Sequence, residues 1–268
     1  MAIADLATYI NEMSHPKEFQ PITVATITTI AGRWYDLWTS TPPVGTAPTT
    51  AAVPTSATTG TLGQQDSTTG TLGIVAGRLN LMNPGVYLLI DRLSHQGGLS
   101  GTVTTVGVTT NLPTSALTRY TDGAGVMLGI SIYSQIGTTA TTITCSYTNQ
   151  AGTSGQVSPA IAIGGTGFRE AGRVLFVPLA AGDTGVRSVQ SSTLTATTGT
   201  AGAFGYTLFK PLAAIIVDEV NGVSICDLIT GKWGGGLPEV VDGAALCLMG
   251  CSTSTNLMGS GTILFAEW

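Results

Sequence analysis

Side chains able to do chemistry are few and scattered. The 268-residue chain has two histidines, His15 ahead of Pro16 and His95 beside Gly97-Gly98. Two isolated histidines cannot build a three-histidine zinc site. Asp91 and His95 lie close in sequence among many serines, and a Ser-His-Asp triad is defined by geometry rather than position. The strand-to-helix elbow G-x-S-x-G that would present a nucleophilic serine is absent. Gly231-Lys232 runs into Trp233 and lacks the leading glycine of a phosphate-binding loop. Gly164-Gly165-Thr166-Gly167 has no strand-to-helix context and reads as a surface loop. Asp218-Glu219 and Asp227 read as solvated acids rather than calcium ligands. The cysteines are Cys145, Cys226, Cys247 and Cys251, with no C-x-x-C pair. On one strand Cys247 and Cys251 would stand roughly 13 Å apart, too far for a disulfide, so all four read as small buried apolar groups. No catalytic residue, cofactor or metal is expected. Arg119 and Arg187 sit in neutral surroundings and call for carboxylate partners, with Asp122 and Asp183 the nearest.

The elements that would carry these groups are strands. Charged residues make up 9% of the chain, against about 25% in ordinary soluble domains. Such a surface must be mostly Thr, Ser, Gly and Ala, which suits packing against other subunits better than a free monomer. The net charge of −5 with no basic cluster argues against nucleic acid as a partner. No run of 18 apolar residues exists, so no membrane-spanning helix is expected. With Asp5 and Glu12 and no basic start, the N-terminus does not read as a secretory signal.

In order, Ile3, Leu6, Ala7, Ile10 and Met13 recur at helical spacing, which predicts one amphipathic helix over residues 2 to 13. That stripe would dock on its own body or on a neighbour. A strand follows over Gln20 to Thr29. Trp34 and Trp38 would then share a strand face, as core or as interface anchors. From Thr39 to Gly73 the chain turns to Pro, Thr, Ala and Gly. Thr58-Thr59-Gly60-Thr61-Leu62-Gly63 recurs as Thr68-Thr69-Gly70-Thr71-Leu72-Gly73. This stretch lacks the apolar periodicity to fold alone and reads as an extended arm. Its ~35 residues could reach on the order of 100 Å, enough to cross a neighbouring subunit.

Beyond residue 74 the β body begins, with runs at 85–93, 103–108, 125–133, 141–147, 173–179, 186–194, 204–216, 222–228, 244–249 and 262–268. Roughly ten short strands with Gly- and Asn-rich breaks predict an all-β fold, an antiparallel sandwich or jelly roll. No βαβ alternation supports a Rossmann or barrel alternative. The expected division is residues 1–73, helix and arm, then 74–268, the β body. The expected intersubunit anchors are Ile3, Leu6, Ile10, Met13, Trp34, Trp38, Leu62 and Leu72. On that view, removing residues 1–73 leaves a folded body that no longer assembles.

Three stretches are distinctive: Asp91 to Gly101 (DRLSHQGGLSG), Tyr147 to Thr153 (YTNQAGT) and Ala181 to Val189 (AGDTGVRSV). Together they resemble structural proteins of tailed bacteriophages, over about the C-terminal two thirds. The resemblance implies a virion component repeated many times, with no catalytic role, assembled in the host cytoplasm. It carries over no functional residues. Among virion roles it suggests an outer capsid decoration or cement protein. Such a protein would be a homo-oligomer, a trimer on three-fold lattice positions, and would clamp copies of the major capsid protein. A neck, tail-tube, baseplate or fibre component is the alternative, and a cell-surface adhesin the third.

Overall fold

The structure, a computed structural model, describes residues 17–110, 112, 117–227 and 238–267. The helix expected over 2 to 13, with its stripe Ile3, Leu6, Ile10 and Met13, lies outside the described residues, and those described include no helix. Sixteen strands occur among them. They are β1 (Glu18–Ile27), β2 (Arg33–Asp36), β3 (Leu72–Leu81), β4 (Gly85–His95), β5 (Val108–Thr109), β6 (Met127–Ser134), β7 (Thr141–Asn149) and β8 (Gln156–Val157). Then come β9 (Ile161–Ile163), β10 (Val174–Phe176), β11 (Val186–Leu194), β12 (Ala203–Val217), β13 (Val223–Asp227), β14 (Glu239–Val240), β15 (Leu246–Ser252) and β16 (Leu257–Glu267). All the pairings between them are antiparallel, so the fold is all-β.

Three sheets form. The central one has the order β10-β6-β12-β4-β15-β2. A second runs β1-β16-β3-β13, with β14 also on β3, and a third runs β5-β11-β7-β8, with β9 also on β7. The length of β4 and β12 sets this layout, since each is long enough to serve two cores. Tyr87 and Leu89 of β4, with Ala213, Ile215 and Val217 of β12, pack with Ile22, Leu79 and Phe265 of the second sheet. Leu93 of β4, with Phe204, Tyr206 and Leu208 of β12, packs with Ile143, Tyr147 and Val189 of the third. This layering is consistent with a sandwich.

A bulge in β4 makes the handover. Phe209 pairs with Arg92 but Leu208 pairs with Ser94, so Leu93 is the extra residue. An unbroken strand would put Asp91 and His95 on one face. The extra residue flips the parity, so Arg92 and His95 share a face with Phe209 and Thr207, and Asp91 points the other way with Leu246.

The opposite face of the central sheet carries Ile90, Val174, Phe209, Cys247 and Met249, and Trp38 packs there with Trp34 beside it. What covers this face corrects the expectation of a reaching arm. Residues 37 to 64 lie on the chain's own body. Ala52 and His95 exchange both backbone hydrogen bonds at 2.9 Å. Gly97 donates to the Pro48 carbonyl at 2.7 Å, Gly60 to Pro43 at 2.6 Å, and Leu62 to Leu246 at 2.9 Å. The ordering cost of this Thr/Pro/Gly segment is met by its own sheet, not by a neighbour's edge. The expected boundary at 73/74 falls inside β3, which sits between β16 and β13. β1 is the edge strand of the same sheet, paired along β16 from Glu18–Phe265 to Val24–Gly259.

Close backbone approach fixes Gly205 of β12. A Cβ there would stand 1.6 Å from the Gln96 carbonyl oxygen. Because the obstacle is backbone, it cannot rotate away. Gly205→Ala is expected to lower stability by about 1–3 kcal/mol or more, read as a fall in the thermal midpoint.

Candidate functional site

Two buried ion pairs occupy the centre of the molecule, and both use adjacent residues of β4. Arg92 is fully buried, and its guanidinium donates to Asp36 Oδ1 at 2.5 Å and to Thr207 Oγ1 at 3.2 Å. Ser131 Oγ donates to Asp36 Oδ2 at 3.2 Å. The Trp38 ring lies 4.8 Å below the guanidinium carbon and meets His95 edge-on, centroids 4.8 Å apart. Burial alone would lower the Arg92 pKa, but the Asp36 carboxylate outweighs it and the guanidinium stays charged. His95 is held down at about 2, by burial first and then by Arg92, so it remains neutral.

On the other face, Arg119 donates Nε to Asp91 Oδ2 and a terminal nitrogen to Asp91 Oδ1, both at 2.8 Å. The same terminal nitrogen reaches the carbonyls of Arg92 at 3.0 Å and Pro54 at 3.2 Å. The Ala245 amide completes Asp91 at 2.8 Å. This fork pins the covering segment, β4 and the start of β15 at one point, where the two cores meet.

The chemistry expected of these residues is redistributed. Asp91 and His95 are not a catalytic pair, because the carboxylate is committed to Arg119 on the opposite face. Arg119 pairs with Asp91, not Asp122. Arg187 donates to the Gln150 carbonyl at 2.6 and 3.1 Å and to the Asp122 carbonyl at 3.2 Å, not to Asp183. Asp183 instead accepts from Tyr147 Oη at 2.6 Å and Asn149 Nδ2 at 2.7 Å. No cluster of three or more His, Cys, Asp or Glu able to hold a metal occurs among the described residues.

The expected interface anchors need the same correction. Trp38, Leu62 and Leu72 are 3%, 5% and 1% exposed within the single chain, so they are core residues. Trp34 is half-buried, its ring 5.4 Å from that of Phe176. Apolar side chains in a charge-poor segment satisfy a core as readily as an interface, and here the nearest apolar surface is the chain's own.

A second polar cluster holds residues 65 to 70. Glu267 Oε1 accepts the amides of Thr68, Thr69 and Gly70 at 2.6, 2.5 and 2.8 Å, and Lys17 bridges to its other oxygen at 2.5 Å. Asp242 accepts the amide and hydroxyl of Ser67. Successive amides pointing at one carboxylate form an anion nest. Lys17 and these amides hold the Glu267 carboxyl down at about 2, and Ser67 lowers Asp242. Both carboxyls therefore lie lower in the folded chain than in the unfolded one. The contribution of Glu267 is full above about pH 4.5 and is lost as pH falls toward 2, and that of Asp242 is likewise lost on acidification. Thermal midpoints measured from pH 5 to pH 2 should fall in that window, and Glu267→Gln should flatten the fall.

The buried pairs were not anticipated, though a signal existed. In a chain this poor in charge, Asp91-Arg92 interrupts an apolar strand, Leu88-Leu89-Ile90 before and Leu93 after. Charges there must be buried and paired.

No protein-family model matches the chain, and no curated protein matches it. Among solved structures, it is similar to VP2 of infectious bursal disease virus in two forms. One is a D431N mutant from T=1 particles, 11% identical over 93% of this chain, with a TM-score of 0.12. The other, from the Gx strain, is 12% identical over 94% of this chain, again with a TM-score of 0.12. The chain spans about 40% of the length of those proteins. Likeness at that score carries no argument.

Proposed function

We propose that the chain is a non-enzymatic structural protein of a tailed-phage virion, an outer capsid decoration or cement protein that associates with itself and with the major capsid protein. The layered sheets form its sandwich body. One observation carries the reading. The three stretches that resemble phage virion proteins spend their polar residues on framework contacts. Asp91 and Arg92 hold the two central ion pairs. Asn149 and Gln150 of the second stretch are tied to Asp183 and Arg187 of the third. Polar residues used as joints between strands suit a protein whose work is mechanical. The charge-poor composition supports packing among many copies.

Counting copies in purified particles by quantitative mass spectrometry tests it. Copies in the hundreds are expected. Six or twelve would move the protein to a neck or baseplate, and absence from particles would end the virion reading.

A further inference from the structure

We propose that the outer face of the second sheet, at β3, β13 and the turn joining β12 to β13, is a self-association surface that receives the same face of a second copy. Val223 pairs with Asn80 and Ile225 with Arg78, so these four side chains share a face. They point away from the core, because Leu79 and Leu81 between them point in. Ile225 is 70% exposed, Val223 45%, and Val220 in the turn 64%. Exposed apolar side chains in a row along β13 and its turn, flanked on β3 by polar Asn80 and Arg78, suit an interaction site with a charged rim. The free outer edge of β13 is not what is on offer. Ser224 Oγ donates to the Ile216 carbonyl, which brings β13 against the end of β12. A partner must therefore pack on the face rather than extend the sheet.

Charge identifies the occupant. Arg78 is exposed beside a polar groove of about 190 Å³ that it lines with Asn80, Ser260 and Thr262. Its guanidinium makes no hydrogen bond or ion pair among the described residues. Asp218 and Glu219, at the turn, are exposed and likewise unpaired among the described residues. Arg78 lies two residues, about 7 Å, to one side of the Asn80–Val223 row. The turn begins about as far on the other side. A two-fold axis along that row, lying in the plane of the contact, brings Arg78 and its neighbour Ile225 of each copy toward the acidic turn of the other, with Val223 at the centre. Such a patch is complementary to itself, as an isologous contact requires. This deepens the proposed role and rests on it only for the expectation that copies associate.

The full chain should be measured by sedimentation across concentrations, with three variants of exposed residues. Ile225→Asp should convert dimers, or the dimeric contact within a larger ring, to the dissociated species. Arg78→Glu alone should weaken association at least tenfold. Adding Asp218→Arg and Glu219→Arg to Arg78→Glu should restore it, which also shows that the variants fold. A wild-type chain that stays monomeric, an unaffected Ile225→Asp, or failure of the combined reversal would overturn the surface. The two ideas fail separately. Particles that incorporate a monomeric chain leave the virion role standing without this contact. A dimer absent from particles does the reverse.

Discussion

Asp36→Ala is expected to destabilise the protein by about 3–5 kcal/mol and to lower its thermal midpoint by about 10 °C. The substitution removes the carboxylate that neutralises Arg92, whose side chain is 0% exposed. A cavity of about 10 Å³ beside Asp36 has room for one water at most, and a neutral water does not replace the lost charge. The remaining partners are weaker: a neutral hydroxyl on Thr207 and the Trp38 ring. A desolvated cation over an indole recovers about 2 kcal/mol, less than an unpaired buried guanidinium loses. Removing both charges as Asp36→Leu with Arg92→Met should cost less than the single change, because a buried pair is worth little beyond an apolar replacement of similar volume. Denaturant midpoints on the two single variants and the double give the coupling directly. Equal, additive losses would mean that the pair is solvated and the layer over it open.

Deleting residues 1–73 should abolish folding rather than assembly alone. The deletion removes β1 and β2 and begins the remaining chain inside β3. From the first core it takes Ile22, Val24, Tyr35, Leu37, Leu62 and Leu72. At about 1.5–3 kcal/mol each for burial, their gross contribution matches the whole net stability of about 5–15 kcal/mol for a typical protein. It also strips β16 of β1, one of its two partners, exposing a long strand edge that invites aggregation. Expressed alone, residues 74–268 should be insoluble or show no cooperative unfolding transition. A soluble, cooperatively folding fragment would return residues 17–73 to the status of an arm.

Much of the strand pattern was legible in the sequence, and the reason is local. Val186–Leu194 alternates between two glycine- or threonine-rich breaks, and β11 occupies those same residues. β3 was missed for an equally local reason. Gly73 and Gly77 interrupt its alternation, and the Thr/Gly hexapeptide before it draws the boundary too late. Here glycine leaves room for a neighbour: a Cβ on Gly77 would stand 2.6 Å from Ile215 Cδ1, the movable end of a side chain. The hexapeptide repeat also misleads. In its first copy the Gly60 amide meets Pro43, whereas in its second the amides of Thr68 to Gly70 wrap Glu267. Identical residues take different roles because their partners lie elsewhere in the chain. The ion pairs were illegible on the same grounds. Arg119 reaches 28 residues back to Asp91 and Arg92 reaches 56 back to Asp36, and the bulge at Leu93 puts His95 on the face of Arg92 rather than of Asp91.

A map of the intact particle at subunit resolution tests the account most directly. It should show this chain in many symmetry-related copies on the outside of the shell, with residues 37–64 lying on the central sheet of their own subunit. Density for residues 37–64 crossing onto a neighbour, or particles with no density for the chain, would contradict it.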